Sequence, residues 1–171
     1  YDFNIISNFL TNSYTHRIIY FSLYQAILSA LISCIIAVPF ALALNRHKNS
    51  KIIKFIISLC GFCFVIPSIL IVYSVIKIFG YNGFLNSNFN FYELFGIKSI
   101  FGIKAILIAH VILNAPFASR LFFQNLNNIP KSYYDITRSL NLTYFASIIK
   151  LEIPIIKQSF FTVFSIIFAL C

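Results

Sequence analysis

Asn128-Ile129-Pro130-Lys131-Ser132-Tyr133-Tyr134-Asp135-Ile136-Thr137-Arg138-Ser139-Leu140-Asn141, running on through Leu142 to Leu151-Glu152-Ile153-Pro154, is a short polar interruption between two hydrophobic spans. Pro130 suits the first turn of a helix, where its missing N–H leaves nothing unpaired. Asn141 after Leu140 predicts a left-handed stop, and Thr143 predicts the cap of a second short helix. The stretch reads as a two-helix elbow lying against a membrane surface, a shape suited to docking a soluble partner.

The surroundings of the elbow demand a membrane. The 171-residue chain is 60% hydrophobic and only 10% charged, against about 25% charged in an ordinary soluble domain. Its net charge of +9 is spread in short basic clusters between apolar runs. That pattern sets membrane orientation and does not suit nucleic acid. The predicted fold is an all-α polytopic transmembrane helical bundle, a single membrane domain. Its expected spans are residues 18–44, 52–79, 102–123 and 155–171, with the elbow loop over 128–154. A span needs about 20 apolar residues, so the first three are long enough to cross with some tilt. The first is broken only by small or weakly polar residues such as Ser22, Gln25 and Ser29, while Lys54 and Lys77 must snorkel from the ends of the second. Pro39, Pro67 and Pro116 are each expected to kink a span.

Basic residues orient the bundle. Arg46, Lys48, Lys51 and Lys54 follow the first span, and Arg120, Lys131, Arg138, Lys150 and Lys157 flank the elbow. These are nine of the thirteen Lys and Arg residues; Arg17, Lys77, Lys98 and Lys104 fall on the other side. The elbow is therefore expected in the cytoplasm and Tyr1 outside. The chain starts at Tyr1 with no Met and stops at Cys171 inside an apolar run, so it reads as a piece of a longer protein with a further span upstream. The external loop from Gly80 to Phe101 carries Tyr81, Phe84, Phe89, Phe91, Tyr92 and Phe95, with a turn at Gly80 and Gly83. It is read as an interfacial lid or short surface helix, or as a contact for an incoming substrate carrier.

Little in the chain suits catalysis. The acids Asp2, Glu93, Asp135 and Glu152 are all read as lying outside the spans, and none pairs with another for proton transfer. No glycine-rich phosphate loop occurs, so neither an enzyme nor a cofactor site is expected. Cys60-Gly61-Phe62-Cys63 has the spacing of a redox or metal motif, but without a second pair or a nearby His it reads as packing. His110 and Asn114 share one face of the third span, and Ser119 and Arg120 follow near its end. Either they line a polar pathway, with His110, Asn114 and Arg120 as candidates, or they bond neighbouring helices.

The elbow itself resembles the cytoplasmic coupling loop of bacterial ABC importer permeases, whose pattern is Glu-Ala-Ala, a short gap, Gly, and a longer gap to a Leu-x-Pro-like ending. Asp135, Ile136 and Thr137 fall at the Glu-Ala-Ala positions, Asn141 at the Gly, and Ile153-Pro154 closes the pattern. The run Ile106 to Arg120, with Gln124 and Asn128-Ile129-Pro130, is similar to the thiamine and thiamine-diphosphate importer permeases. So are Ser22-Leu23-Tyr24-Gln25-Ala26, Leu28-Ser29-Ala30-Leu31 and Tyr81-Asn82-Gly83-Phe84-Leu85. Ferric-iron permeases share much of this pattern.

The resemblance implies the first half of a two-half permease in the bacterial inner membrane. Its partners would be a periplasmic substrate-binding protein, a cytoplasmic ABC ATPase dimer, and a second permease half in the same longer chain or in a homodimer. ATP hydrolysis would belong to the partner chain. The coupling helix would cover about Lys131 to Leu140. In it Asp135 would accept a charge-assisted hydrogen bond, Ile136 and Leu140 would pack in the ATPase groove, Thr137 and Arg138 would lie beside them, and Asn141 would turn the chain. Ile136 and Thr137 make this helix bulkier than the family pattern, and Asn141 accepts a left-handed turn less readily than Gly. A non-transporting scaffold or an ion-conducting bundle is the reading of a different class.

Overall fold

The computed structural model describes residues 12–94 and 102–171. Tyr1, Asp2, Phe95 and Lys98, which figured in the orientation, acid and lid readings, lie outside the described residues. Among the described residues every regular element is helical, as the all-α bundle requires. Four stretches are long and apolar enough to cross a membrane: Ser13–Arg46, Ser68–Phe89, Ile103–Asn127 and Phe145–Leu170. The protein is a multi-pass membrane protein.

Helix α1, Ser13–Arg46, starts at Asn12, whose side-chain oxygen accepts the Tyr14 N–H at 3.0 Å, and passes through Pro39 without interruption. The stretch expected as one second span is instead two helices, α2 (Lys51–Phe62) and α3 (Ser68–Phe79), separated by a tight turn at Cys63–Val65. Pro67 is the physical cause. It removes a backbone donor and pushes the residue before it out of the helical region. Ile66 accordingly sits at φ −70°, ψ 126°. The chain breaks there, where sequence reasoning foresaw a kink.

Two short helices follow, α4 (Phe84–Phe89) and α5 (Phe91–Leu94). They occupy the segment expected to be an external loop, and the first of them falls within the apolar stretch Ser68–Phe89. Asn86 joins them to the preceding turn, its amide donating to Tyr81 O at 2.8 Å and its oxygen accepting Tyr92 N–H at 3.0 Å. The Tyr92 hydroxyl donates to Phe79 O at 2.8 Å, which pins the loop to the end of α3.

Helix α6, Ile103–Asn127, is the centre of the bundle, packing against α1, α2, α3 and the last helix α9, Ile153–Leu170. Its longest seam is with α1. There Ser29, Ser33, Ala37 and Ala41 recur every four residues, with Ala26, Ala30 and Cys34 beside them, and all are buried. Small residues at that spacing let two backbones approach closely, which drives helix association in lipid, where apolar burial alone gives no preference. Ala118, Phe122 and Leu126 fill the α6 side of the seam, and Ile156, Val163 and Ile167 of α9 close the core. Phe160, Phe164 and Phe168 stack along α9 with ring centres 6.3 Å apart, and Phe160 stacks on Phe122.

The elbow links α6 to α9. Helix α7 spans Lys131–Ser139 and α8 spans Tyr144–Ser147. A wider helical turn, Ile148–Glu152, carries α8 into α9, with the Ile153 N–H donating to Ile148 O. Pro154 follows at once, and a widened turn suits the position before a residue with no N–H to give. The last apolar helix therefore begins near Phe145, ahead of the residue 155 expected from the sequence.

Candidate functional site

The elbow helix is built by local signals. Pro130 stands just before its first residue, and the Tyr133 N–H donates to Pro130 O at 3.1 Å. At the other end Asn141 adopts φ 49°, and the Leu142 N–H reaches back to Thr137 O at 3.1 Å. That is a left-handed helix stop closed by a six-residue hydrogen bond, here made with Asn at the position where Gly is commonest. Helix α8 then starts directly after Thr143, whose carbonyl accepts the Ser147 N–H at 3.0 Å.

One face of α7 turns inward through Tyr134, which packs against the core. The Tyr134 hydroxyl lies 3.1 Å from Asn45 Nδ2, which donates to it, and itself donates to Glu152 Oε1 at 3.3 Å. Asn45 Nδ2 also donates to Glu152 Oε1 at 3.1 Å. Three separate elements thus meet at one carboxylate oxygen: the end of α1, the elbow helix, and the wide turn ahead of α9. Lys48 Nζ sits 5.7 Å from the centre of the Tyr134 ring, a cation–π distance. Burial pushes the Tyr134 phenol above its ordinary value; the Asn45 hydrogen bond opposes this, and the Glu152 charge and hydrogen bond add to it. A cavity of about 680 Å3 opens beside the cluster, lined among others by Arg46, Lys48, Lys131 and Asp135.

Glu152 corrects the expectation that all the acids lie outside the spans. It falls within the apolar stretch Phe145–Leu170 and is only 7% exposed, because the helix starts a full ten residues ahead of the predicted span. Its second oxygen, Oε2, has no hydrogen-bond partner among the described residues.

One exposed stripe of α7 and its terminal turn is apolar, beside the exposed polar Ser132, Asp135 and Ser139. Tyr133, Ile136 and Leu140 are 53%, 56% and 65% exposed, and Phe145 of α8 is 73% exposed. Asp135 is exposed at the mouth of the cavity. Thr137 donates from Oγ1 to Tyr134 O at 2.8 Å, so its hydroxyl serves its own helix. Arg138 lies on the same helix, its side chain outside the described residues. The six candidate coupling residues are therefore gathered on one short helix and its terminal turn, with Ile136 and Leu140 facing out.

Of the three candidate pathway residues, His110 and Asn114 lie one turn apart on α6, and Arg120 lies further along it. Asn114 is buried and donates to Cys171 Sγ at 3.2 Å, a sulfur that also accepts from Ser29 Oγ at 3.0 Å. This is the interhelical bonding reading. Arg120 lies across α2, its guanidinium filling the space that a side chain at Gly61 would take. Gly61 leaves room for that close approach, and Cys60 and Cys63 on either side are free thiols. His110 is half-buried, one turn from Asn114.

Sequence reasoning missed Asn45, Tyr134 and Glu152 as a unit. They are separated by 89, 18 and 107 positions, and no local spacing signals such a cluster. The nearest hint was an acid immediately ahead of the closing Ile153-Pro154.

Membrane-length helices with a short elbow helix turned at Asn141 are what the resemblance to ABC importer permeases implied; the small-residue seam was not foreseen. No protein-family model matches the chain. Curated relatives do. The thiamine transport system permease protein ThiP of Haemophilus influenzae is 32% identical over 118 residues, which is 69% of this chain and 22% of that relative. ThiP of Escherichia coli is 32% identical over 116 residues, and ThiP of Brucella suis 30% identical over 141 residues, 79% of this chain and 25% of the relative. The chain spans a quarter or less of the length of these relatives. The chain is related to the permeases of ABC importers, and the relatives that it matches are named for thiamine transport.

Proposed function

We propose that the chain is part of the transmembrane permease of an ATP-driven bacterial importer for thiamine or its phosphates, and that α7 is the helix through which a cytoplasmic ABC ATPase dimer drives it. The substrate reading rests on the likeness to permeases named for thiamine transport. The coupling reading rests on one observation above all: Tyr133, Ile136 and Leu140 stand exposed on a short helix outside the four apolar stretches. Apolar side chains facing lipid need no explanation, but a cluster of them on a polar elbow marks a protein contact. The left-handed turn at Asn141 ends the helix at that face, and a helix that relays a rigid-body closure must have a defined end of this kind.

The remaining partners follow from the same reading. A periplasmic binding protein delivers substrate, and a second permease half, in the same longer chain or a second copy, completes the pathway. The elbow faces the cytoplasm and residue 1 the periplasm. Arg46, Lys48 and Lys131 around one cavity at the elbow end support that orientation.

Thiamine uptake by cells expressing the full-length permease, its ATPase and its binding protein tests this directly. Wild type takes up thiamine, and Asp135→Ala or Ile136→Asp loses uptake with membrane levels unchanged. Uptake of ferric iron in place of thiamine would move the substrate, and mutant uptake equal to wild type would remove the coupling role from this helix.

A further inference from the structure

We infer that Asn45, Tyr134 and Glu152 form a latch that makes the elbow helix and the adjoining ends of α1 and α9 move as one body, with Glu152 as its positioning residue. The inference rests on the reading that α7 receives the ATPase, and it says how a push on α7 reaches the membrane helices. Glu152 touches no partner in this scheme; it acts through Tyr134.

The packing of the elbow makes such a tie necessary. Beyond Tyr134, α7 shares no extensive packing face with another described helix. A cavity of about 680 Å3 separates part of it from the ends of α1 and the α8–α9 junction. Apolar contact there is therefore too sparse to carry a displacement. Two hydrogen bonds, Asn45 Nδ2 to the Tyr134 hydroxyl at 3.1 Å and that hydroxyl to Glu152 Oε1 at 3.3 Å, cross the gap beside the Lys48–Tyr134 cation–π contact, and the Asn45–Glu152 bond at 3.1 Å ties the two far sides to each other.

The chemistry of the cluster suits the role. Burying a carboxylate is costly unless it is bonded, and leaving it without its partners is costlier still. A leucine at position 152 would fill space at no such cost. With the carboxylate there, any movement that parts α7 from α1 or from α9 strips donors from a buried charge, so the three elements resist separation more than sliding apolar surfaces do. The placement matters as well. Glu152 closes the wide turn Ile148–Glu152, the one departure from regular helix between α8 and α9. Wide turns and kinks are where helices bend. A latch at that residue stiffens the junction that would otherwise absorb the elbow's motion.

The test uses the full-length permease with its ATPase and binding protein in proteoliposomes, carrying Glu152→Leu, Glu152→Gln or Tyr134→Phe. Gln keeps an oxygen for both donors, so it separates the geometry of the latch from the charge. The expected result is uncoupling: Glu152→Leu retains the ATPase and hydrolyses ATP within about twofold of wild type, yet takes up thiamine at least about tenfold more slowly. Tyr134→Phe, which removes one hydroxyl and leaves the ring packed, slows uptake about threefold, and Glu152→Gln stays within about twofold.

A second readout is independent of substrate. In a chain whose other cysteines are replaced, labelling of Ser159→Cys on α9 changes when ATP is trapped with vanadate, and the change disappears with Glu152→Leu. Equal change in wild type and Glu152→Leu overturns the latch. So does loss of ATPase retention in Glu152→Leu and Tyr134→Phe, since the cluster would then be a brace for the docking face. Wild-type complex that hydrolyses ATP but takes up no thiamine sinks the substrate reading, while the Ser159→Cys labelling still decides the latch. Wild-type permease that retains no ATPase sinks the docking reading, and the latch falls with it.

Discussion

Along the seam between α1 and α6, Ala30, Ala37, Ala41 and Ala118 are completely buried and offer nothing but backbone proximity, whereas at the elbow Ile136 and Leu140 stand exposed above a buried Glu152. The seam lies within the apolar stretches, where the surroundings are as apolar as any side chain. Helices there are selected by how closely they fit. The elbow lies at the end of the bundle, where water returns. Apolar side chains left out in water call for a partner, and a charge taken in calls for bonds. The same chain therefore uses shape to hold its membrane part together and polarity to hold its elbow in place.

That contrast can be broken first at the seam. Ala118→Leu adds three carbons where there is no room, and overpacking of this kind costs about 1–3 kcal/mol. A fall in the thermal midpoint of the detergent-solubilised permease is expected, together with lower membrane levels. An unchanged midpoint would mean that the seam is loose and that the two regions differ less than the burial indicates.

A smaller effect is expected at the elbow's stop. Asn141 sits at φ 49°, where a residue with an ordinary Cβ and no local hydrogen-bonding group is strained. Asn141→Ala should cost about 1 kcal/mol locally, with little effect on the seam. Hydrogen exchange of the Leu142 N–H, bonded to Thr137 O, should quicken by about fivefold. Exchange as slow as in wild type would show that the turn does not depend on its Asn.

The smallest effect concerns pH. Burial raises the Tyr134 phenol above its ordinary value of 10.0, favouring the neutral form in the folded protein. The stability this gives is fully present below pH 10 and is lost as pH rises through the folded value, where a phenolate would face the Glu152 carboxylate. The stability gap between wild type and Tyr134→Phe should therefore narrow above pH 10. A gap constant from neutral pH to pH 11 would contradict the shift.

Much of this was legible in the sequence, and the parts that were not share a cause. The elbow was readable because Pro130 and Asn141 act on their immediate neighbours, and the bundle because apolar length alone implies it. The break between α2 and α3 was half-legible: Pro67 marked the place, but Ile66 had to leave the helix for the kink to become a gap. The latch was invisible, since Asn45 and Glu152 stand 107 residues apart and each looks ordinary alone. Glu152 was read as part of the loop because the last span was expected only from residue 155, while the wide turn ahead of it lets the helix run on from Tyr144. Local signals reach a few residues; the cluster needs the fold.

Capture of the ATPase is the measurement that bears most directly on the elbow's exposed face. Full-length permease carrying Ile136→Asp is purified with co-expressed ATPase and compared with wild type for the amount of ATPase retained. A charge in the centre of an apolar contact removes a dominant anchor, about 2 kcal/mol or more, while a surface change leaves permease stability within about 0.5 kcal/mol. The account predicts that wild type retains the ATPase and that the variant, with unchanged thermal midpoint, retains less than about a tenth as much. Equal retention by the two proteins would contradict it.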